Sequence, residues 1–528
     1  MIRKQSGRKT VCSVNYAFPI LLSGLAVILF ILGPVLSVSA GEAELAPFRV
    51  MLEKSGFPEN DETRRLNADN LKAPNYSAVE TRLDIYRQMS DSRLVEFEVR
   101  KQAVEWYLIF RNQRGTEPWE TFPIWGRGNW VVKRSLLDGA YIQAKIFIQD
   151  NEESFVRLFP MEGGRCRLDV YLYGRQLGDD VIVPASFESL LFSPFARIMF
   201  LTQRSIPWKT VFPNPERIGY RRVAALAEVL SLYSGSIQEI PDAGIDGGGL
   251  NAYIDSGDLV PAELMEPGKT GLNCSGYVKW VADGIYSAWS RAPGALFLDV
   301  EELKKPGARR SRNSWNESYS ASGKDARNSM ESLLRDPFFG LDWNRNIARI
   351  IREAQLGRAL SSAEWAALDS SPLPGVSWVE NMGYPLDALG TALYQLASAY
   401  PGKIWLAAVN SPFRPEPSAD DPRPLSLHQY WHVAILAPWF DDGSEGREKG
   451  TFRVAVLDTG DVAESLLSGP SGESPAAFPR IIQDRAVVYA RLGRDDNGVL
   501  QKPEVRVHLT AVELPENYQP SPLPLESP

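Results

Sequence analysis

Between Arg93 and Phe187, apolar positions alternate with polar ones or run together in short stretches separated by turn-like segments. The stretches "RLVEFEVR", "VEWYLIF", "NWVVKR", "YIQAKIFI" and "RCRLDVYLYG" carry the period of two that predicts strands. They define a β-rich domain of sandwich or barrel type over residues 41–214, with "FESLLFSPFARIMFL" as a helical closing element. Cys166 shares a strand face with Leu168, Val170 and Leu172. It reads as core filling, because a buried free thiol behaves as a small hydrophobe.

The segment "FPNPERIGYRR" marks a boundary, after which "RVAALAEVLSLYSG" takes up helical spacing. The glycine-rich "DAGIDGGGLN" lacks the Gly-Lys-Ser/Thr ending that cradles phosphate, so it reads as a lip beside a cleft. From Cys274 on, Tyr277, Val278, Val281, Ala282, Ile285 and Trp289 fall at three- and four-residue steps, which predicts an amphipathic helix. Over about 290–375 the composition turns to Ser, Arg and Lys before "NIARIIREAQLGRAL" and "AEWAALDS" regain helical spacing, and this stretch reads as a charged insertion that loops out. Strand patterns return in "GKIWLAAV", "WHVAILA", "FRVAVLD", "AVVYARLG" and "EVRVHLTAVEL". The second domain therefore spans 215–515, and the proline-rich tail, 516–528, is expected to be disordered.

The first 40 residues differ from the rest. Arg3, Lys4, Arg8 and Lys9 precede an apolar run from Phe18 to Leu36, which ends in "SVSA" with small residues at Val38 and Ala40. This is the pattern of a signal peptide, or of a retained membrane anchor through 18–36, and it predicts export to the periplasm or cell envelope. The chain has a formal net charge of −8, and the basic leader makes the remainder more acidic still. Nucleic acid is accordingly a poor partner for the body of the protein. Of three cysteines, Cys12 lies in the leader, so Cys166 and Cys274 do not make a disulfide-framed scaffold.

Cys274 stands in the first turn of its helix, with Asn273 as a natural N-cap. The free backbone N–H groups and the positive end of the helix dipole there stabilise a thiolate, and the same donors suit an oxyanion. The plainer reading is a small residue packing a helix start. An attacking thiol needs a base, and histidine suits that task. His508 falls on a strand face with Arg506 and Thr510 and reads as solvated; His428, in "PRPLSLHQY", reads as an exposed loop residue. His432 opens the apolar "HVAILA", where burial demands a partner. Asp458, at the end of the next strand, is the candidate to orient it, with Asp461 and Glu464 in reserve; the alternative is a turn residue. Scattered histidines and two separate cysteines supply no metal-ligand cluster, and no cofactor is implied. No G-x-S-x-G elbow for a serine nucleophile occurs.

Three segments carry a family resemblance. "NCSGYVKWV" resembles the "DCSGLVxxV" signature of the NlpC family of papain-like cell-wall cysteine peptidases; "YPGKIWLAAV" resembles its "PGDLVFF" strand and "HVAILA" its "HVGIYLG" strand. The resemblance covers about Arg217 to Leu492. It implies an α+β fold in which a helix bearing the nucleophile packs on an antiparallel sheet bearing the base. Cys274 would be nucleophile, His432 general base and then acid, and Asp458 the orienting group. The backbone at Cys274 and the hydroxyl of Tyr253 are the oxyanion candidates. Asn273 replaces the usual Asp, Lys403 replaces the Asp of "PGDL", and Asp458 stands where the family more often has a histidine or an amide. The implied function is an exported peptidase or amidase that hydrolyses peptidoglycan stem-peptide amides through an acyl-enzyme. The departures and the insertion motivate a second reading, a catalytically silent papain-like module used for binding or scaffolding in the envelope.

Overall fold

The first of two large antiparallel sheets is a meander of eight strands in chain order: β1 (Leu83–Arg87), β2 (Leu94–Lys101), β3 (Glu105–Asn112), β4 (Trp130–Ser135), β5 (Tyr141–Phe147), β6 (Phe155–Met161), β7 (Arg165–Leu172) and β8 (Arg175–Val183). The computed structural model describes residues 41–114, 123–290, 294–307, 338–413, 427–459 and 505–524. β2, β3, β4, β5 and β7 are the strands that the alternation predicts. The sheet is neither the sandwich nor the barrel expected, because it stays open, with β1 and β8 at its two edges. Helices take the place of a second sheet. Val95, Phe97, Trp106, Leu108, Trp130 and Val132 project into a core completed by Phe195, Met199 and Trp208. Phe195 and Met199 come from α5 (Phe195–Thr202) and Trp208 from α6 (Trp208–Val211), while α4 (Phe187–Leu191) adds Phe187, Leu190 and Leu191; these helices follow α1 (Glu42–Ser55), α2 (Asp61–Leu66) and α3 (Ala68–Lys72). The closing element is broken at Ser193-Pro194 because Pro194 cannot extend α4 and instead opens α5. Cys166 is fully buried in this core.

Chain from Ile218 onward builds the second layer. α7 (Ile218–Ser231) leads to three short strands, β9 (Ile237–Glu239), β10 (Ala243–Ile245) and β11 (Asn251–Tyr253), then β12 (Thr270–Leu272) and α8 (Cys274–Ser290). β10 and β11 form a hairpin, so the glycine-rich loop is its tip, and β12 pairs in parallel with β9. The segments α9 (Val300–Leu303), α10 (Phe339–Leu356), α11 (Ser362–Ala366), β13 (Tyr384–Pro385) and α12 (Leu389–Ala399) follow. The second sheet has the order β13, β17 (Arg506–Glu513), β14 (Lys403–Phe413), β15 (Leu427–Phe440), β16 (Phe452–Leu457). β17, the last strand among the described residues, is thus inserted between β13 and β14. The strand expected from "AVVYARLG" lies outside the described residues.

Several sequence readings change here. Within the stretch expected to loop out, α10 is a core helix: Trp343, Ile347, Ala348 and Ile351 are buried in the shared core. His508 is not solvated but 1% exposed. β17 has neighbours on both edges and cover on both faces, and Arg345 and Asp369 supply the polar partners that its alternation concealed, Asp369 at 3.6 Å. His428 belongs to β15, in register with Pro412, rather than to a loop.

The described part of the tail, residues 516–524, is held against the body rather than disordered. It lies along α8, where the Trp280 indole donates to the Ser521 carbonyl at 2.8 Å, and reaches β12, where Thr270 Oγ1 donates to the Pro524 carbonyl at 3.2 Å. A Cβ on Gly284 would stand 2.3 Å from the Gln519 carbonyl oxygen, so only glycine admits the strap there. Tyr518 and Leu523 pack against the main core. Proline content misled because a chain without backbone donors can still be held through its carbonyls. The described residues from Glu42 onward form one compact unit.

Deleting residues 516–528 should lower stability by about 2 to 4 kcal/mol, the scale of re-exposing two partly buried side chains and losing an indole bond. Urea unfolding of full-length and truncated protein measures it; equal midpoints would mean that the strap contributes nothing.

Candidate active site

The site is built from the first turn of α8. Asn273 Oδ1 accepts from the Gly276 N–H at 2.7 Å, which is the N-cap expected from the sequence. The Asn273 N–H in turn donates to the Ala243 carbonyl at 2.8 Å, fixing the helix start to β10. Contact is so close that a Cβ on Gly276 would lie 2.3 Å from the Ala243 oxygen. Asn251, buried on β11, joins the strands beneath: its Nδ2 donates to the Gly244 and Gly271 carbonyls at 2.8 and 2.7 Å, and its Oδ1 accepts from the Gly271 N–H. From the other side the Trp343 indole donates to the Ser275 carbonyl at 3.2 Å. Cys274 is therefore held in place by its neighbours while remaining partly exposed.

His432 reaches the thiol from β15. It pairs with Val409, and the ladder shifts register at the next step, where Tyr430 faces Asn410 and Trp431 is the extra residue. A bulge of this kind re-aims the side chains beside it. The next strand ends at Leu457, in register with Ile435, and Asp458 follows directly. His432 Nε2–H donates to Asp458 Oδ2 at 2.7 Å, and Asp458 Oδ1 accepts from the Thr459 N–H at 2.7 Å. Both carboxylate oxygens are thereby committed. With Nε2 turned to the carboxylate, Nδ1 is the ring nitrogen left for Cys274, with which the imidazole also hydrogen-bonds. The Val433 backbone N–H is a further donor to the sulfur.

These contacts set the protonation states. Burial alone pulls the His432 pKa down, but the charge and hydrogen bond of Asp458, with Cys274 adding to them, push it up to about 10. Burial alone raises the Cys274 pKa, and the Asp458 charge adds to that; the hydrogen bond and charge of His432, together with the Val433 N–H, outweigh both, and the thiol lies below its ordinary value. The arrangement favours a thiolate beside an imidazolium.

Of the residues singled out in the sequence, Cys274, His432 and Asp458 meet. Tyr253 sits on β11 opposite Ala243, and its ring packs against Ile240, Ala243 and Val260. Asp461 and Glu464 lie outside the described residues. The bracing groups Ala243, Asn251, Gly276 and Trp343 escaped sequence reading, although the glycine of "CSG" was a visible sign of close backbone approach. Among the described residues, the acidic group compact enough to share a metal ion is Asp169, Asp179 and Asp180 on the first sheet. Arg157 and Arg167 already pair with Asp169.

The fold is mixed α+β, with two large antiparallel sheets and packed helices. A family described as a domain of unknown function (DUF8515) matches residues 53–210, which contain the whole of the first sheet together with α2 to α5. No curated protein and no solved structure matches the chain.

Two outcomes follow from the geometry. Iodoacetamide should alkylate Cys274 with a midpoint pH below that of a free thiol, and His432→Ala should move that midpoint upward, since burial remains while the cation is lost; an unmoved midpoint would refute the pairing. Gly276→Ala should lower the alkylation rate at neutral pH and destabilise the fold by about 1 to 3 kcal/mol, as overpacking does, measured by urea unfolding.

Proposed function

We propose that the chain is a papain-like cysteine peptidase or amidase that acts on stem-peptide amides of peptidoglycan after export. The observation that carries the reading is the single imidazole placed between a helix-start thiol and a buried carboxylate. In the proposed reaction the Cys274 thiolate attacks the scissile carbonyl carbon, forming a C–S bond. The oxyanion of the tetrahedral intermediate faces the first turn of α8, whose leading N–H groups have no intrahelical acceptor. The His432 imidazolium gives its proton to the leaving amine as the C–N bond breaks, leaving a thioester. Water then attacks that thioester; neutral His432 takes the water's proton, and the thiolate leaves. Asp458 holds the ring in one orientation through Nε2 and stabilises its charged form.

The choice of substrate and compartment rests on the resemblance of "NCSGYVKWV", "YPGKIWLAAV" and "HVAILA" to the NlpC family and on the basic-apolar leader. Residues 18–36 would serve as the membrane tether if the leader is retained. Among the described residues no helix is long and apolar enough to cross a membrane.

Cys274→Ala should reduce amide hydrolysis of purified muropeptides by at least about 10³-fold. Asp458→Asn should retain more activity than Asp458→Ala, because an amide oxygen can still accept from Nε2–H. Product analysis by mass spectrometry decides the first point, and cutting by Cys274→Ala at the normal rate would end the proposal. Turnover rates rank the second pair. A wild-type protein with a lowered thiol pKa that cuts no muropeptide would leave the site chemistry standing and remove the substrate assignment.

A further inference from the structure

A cavity of about 210 Å³ opens between α10, the segment after α11, and the ends of β14 and β17. Its floor is apolar, from Ile351, Leu368 and Val512, and its mouth carries Lys403, Arg352 and Glu513. The charges at that mouth do not balance locally. Glu513 is Lys403's cross-strand neighbour, yet its carboxylate is held by Arg352 at 3.3 Å. Glu364, the other acid at the cavity, is committed to Arg358 and to the Ser361 hydroxyl and N–H. The Lys403 ammonium rests 4.5 Å over the Tyr400 ring and makes no hydrogen bond to a protein acceptor among the described residues. Two cations therefore share one carboxylate above an apolar floor.

We propose that this cavity binds a small monocarboxylate with an apolar body, the carboxylate meeting Lys403 and Arg352 and the body filling the space over Ile351, Leu368 and Val512. A carboxylate suits the place better than a neutral group, since it would supply the acceptor that Lys403 lacks and offset the surplus charge. Burial depresses the Lys403 pKa and the Arg352 charge depresses it further, against the pull of Glu513, so an added anion would relieve an existing strain on that cation. Ile351, Leu368 and Val512 offer apolar surface to a short alkyl body, and a chain of about six carbons serves as the probe. Lys403 also stands where the NlpC-like strand pattern has Asp, so the charge at this position is reversed in this chain. The site is separate from the thiol: Arg352 lies nine residues along α10 from Trp343, about 13 Å at 1.5 Å per residue. The inference is independent of the peptidase reading.

Titration calorimetry of the full chain with sodium hexanoate, hexanamide and acetate tests it, with unliganded melting temperatures checking that variants fold. Hexanoate should bind at one saturable site, at least about tenfold more tightly than hexanamide or acetate, a factor equal to about 1.4 kcal/mol. Lys403→Met should weaken hexanoate at least about tenfold and Lys403→Arg should restore most of the affinity. Absence of hexanoate binding, hexanamide or acetate binding as tightly as hexanoate, or an unchanged affinity in Lys403→Met would each overturn the proposal. If Lys403→Met does not fold, the ligand comparison on the unmodified chain decides alone.

Discussion

The hydrogen bond from His432 to Asp458, 2.7 Å long and almost entirely withdrawn from water, is the interaction on which the rest of the site depends. Without the carboxylate, burial would strip the imidazole of its proton and leave the thiol without a cation. With it, burial works in the opposite direction, because a low-dielectric surround strengthens the attraction that keeps the ring charged. Removing one partner of such a pair costs about 3 to 5 kcal/mol, so the fold has to deliver both groups together. It does so by putting them on adjacent strands of one sheet, β15 and the end of β16, and bringing the thiol in on a helix.

That convergence draws on the whole body of the protein. The helix that carries Cys274 is braced by the β10–β11 hairpin, by α10 through Trp343 and by the C-terminal strap through Trp280. The first sheet takes part as well. Gln149, just beyond β5, donates to the Tyr394 hydroxyl and accepts from the N–H of Phe452, the first residue of the strand that leads to Asp458. Buried Arg127 ties the Ser55 and Gly56 carbonyls to that of Lys449 in the turn before β16. A region matched by a domain of unknown function is thus built into the support of the Asp458 carboxylate.

Much of this was legible in the sequence, and the reasons for the rest are physical. Period-two runs revealed most strands because burial on one face imposes alternation, and the N-cap at Asn273 was visible because helix starts need an acceptor for their free N–H groups. His432 and Asp458 stood out because a polar group inside or ending an apolar strand requires a partner. The burial of His508 is hidden in the sequence because its partners, Arg345 and Asp369, lie far away along the chain. By composition α10 belongs to an insertion, because a charged, serine-rich stretch precedes it, yet its own apolar face meets α8 and the sheet. Composition alone suggests disorder for the strap because it records the missing donors of proline and not the carbonyls that Trp280 and Thr270 find there.

The protonation of His432 is the quantity that decides between a working nucleophile and an inert buried thiol. Nitrogen-15 NMR of the histidine side chains at pH 8 reads it directly, with His432→Gln used to assign the signal. Both ring nitrogens of His432 should carry protons at that pH and titrate only towards pH 10, with the resonance moving to neutral imidazole at lower pH in Asp458→Ala. A His432 signal that is already neutral at pH 8 and titrates near the ordinary histidine value would contradict the thiolate-imidazolium pair and the chemistry built on it.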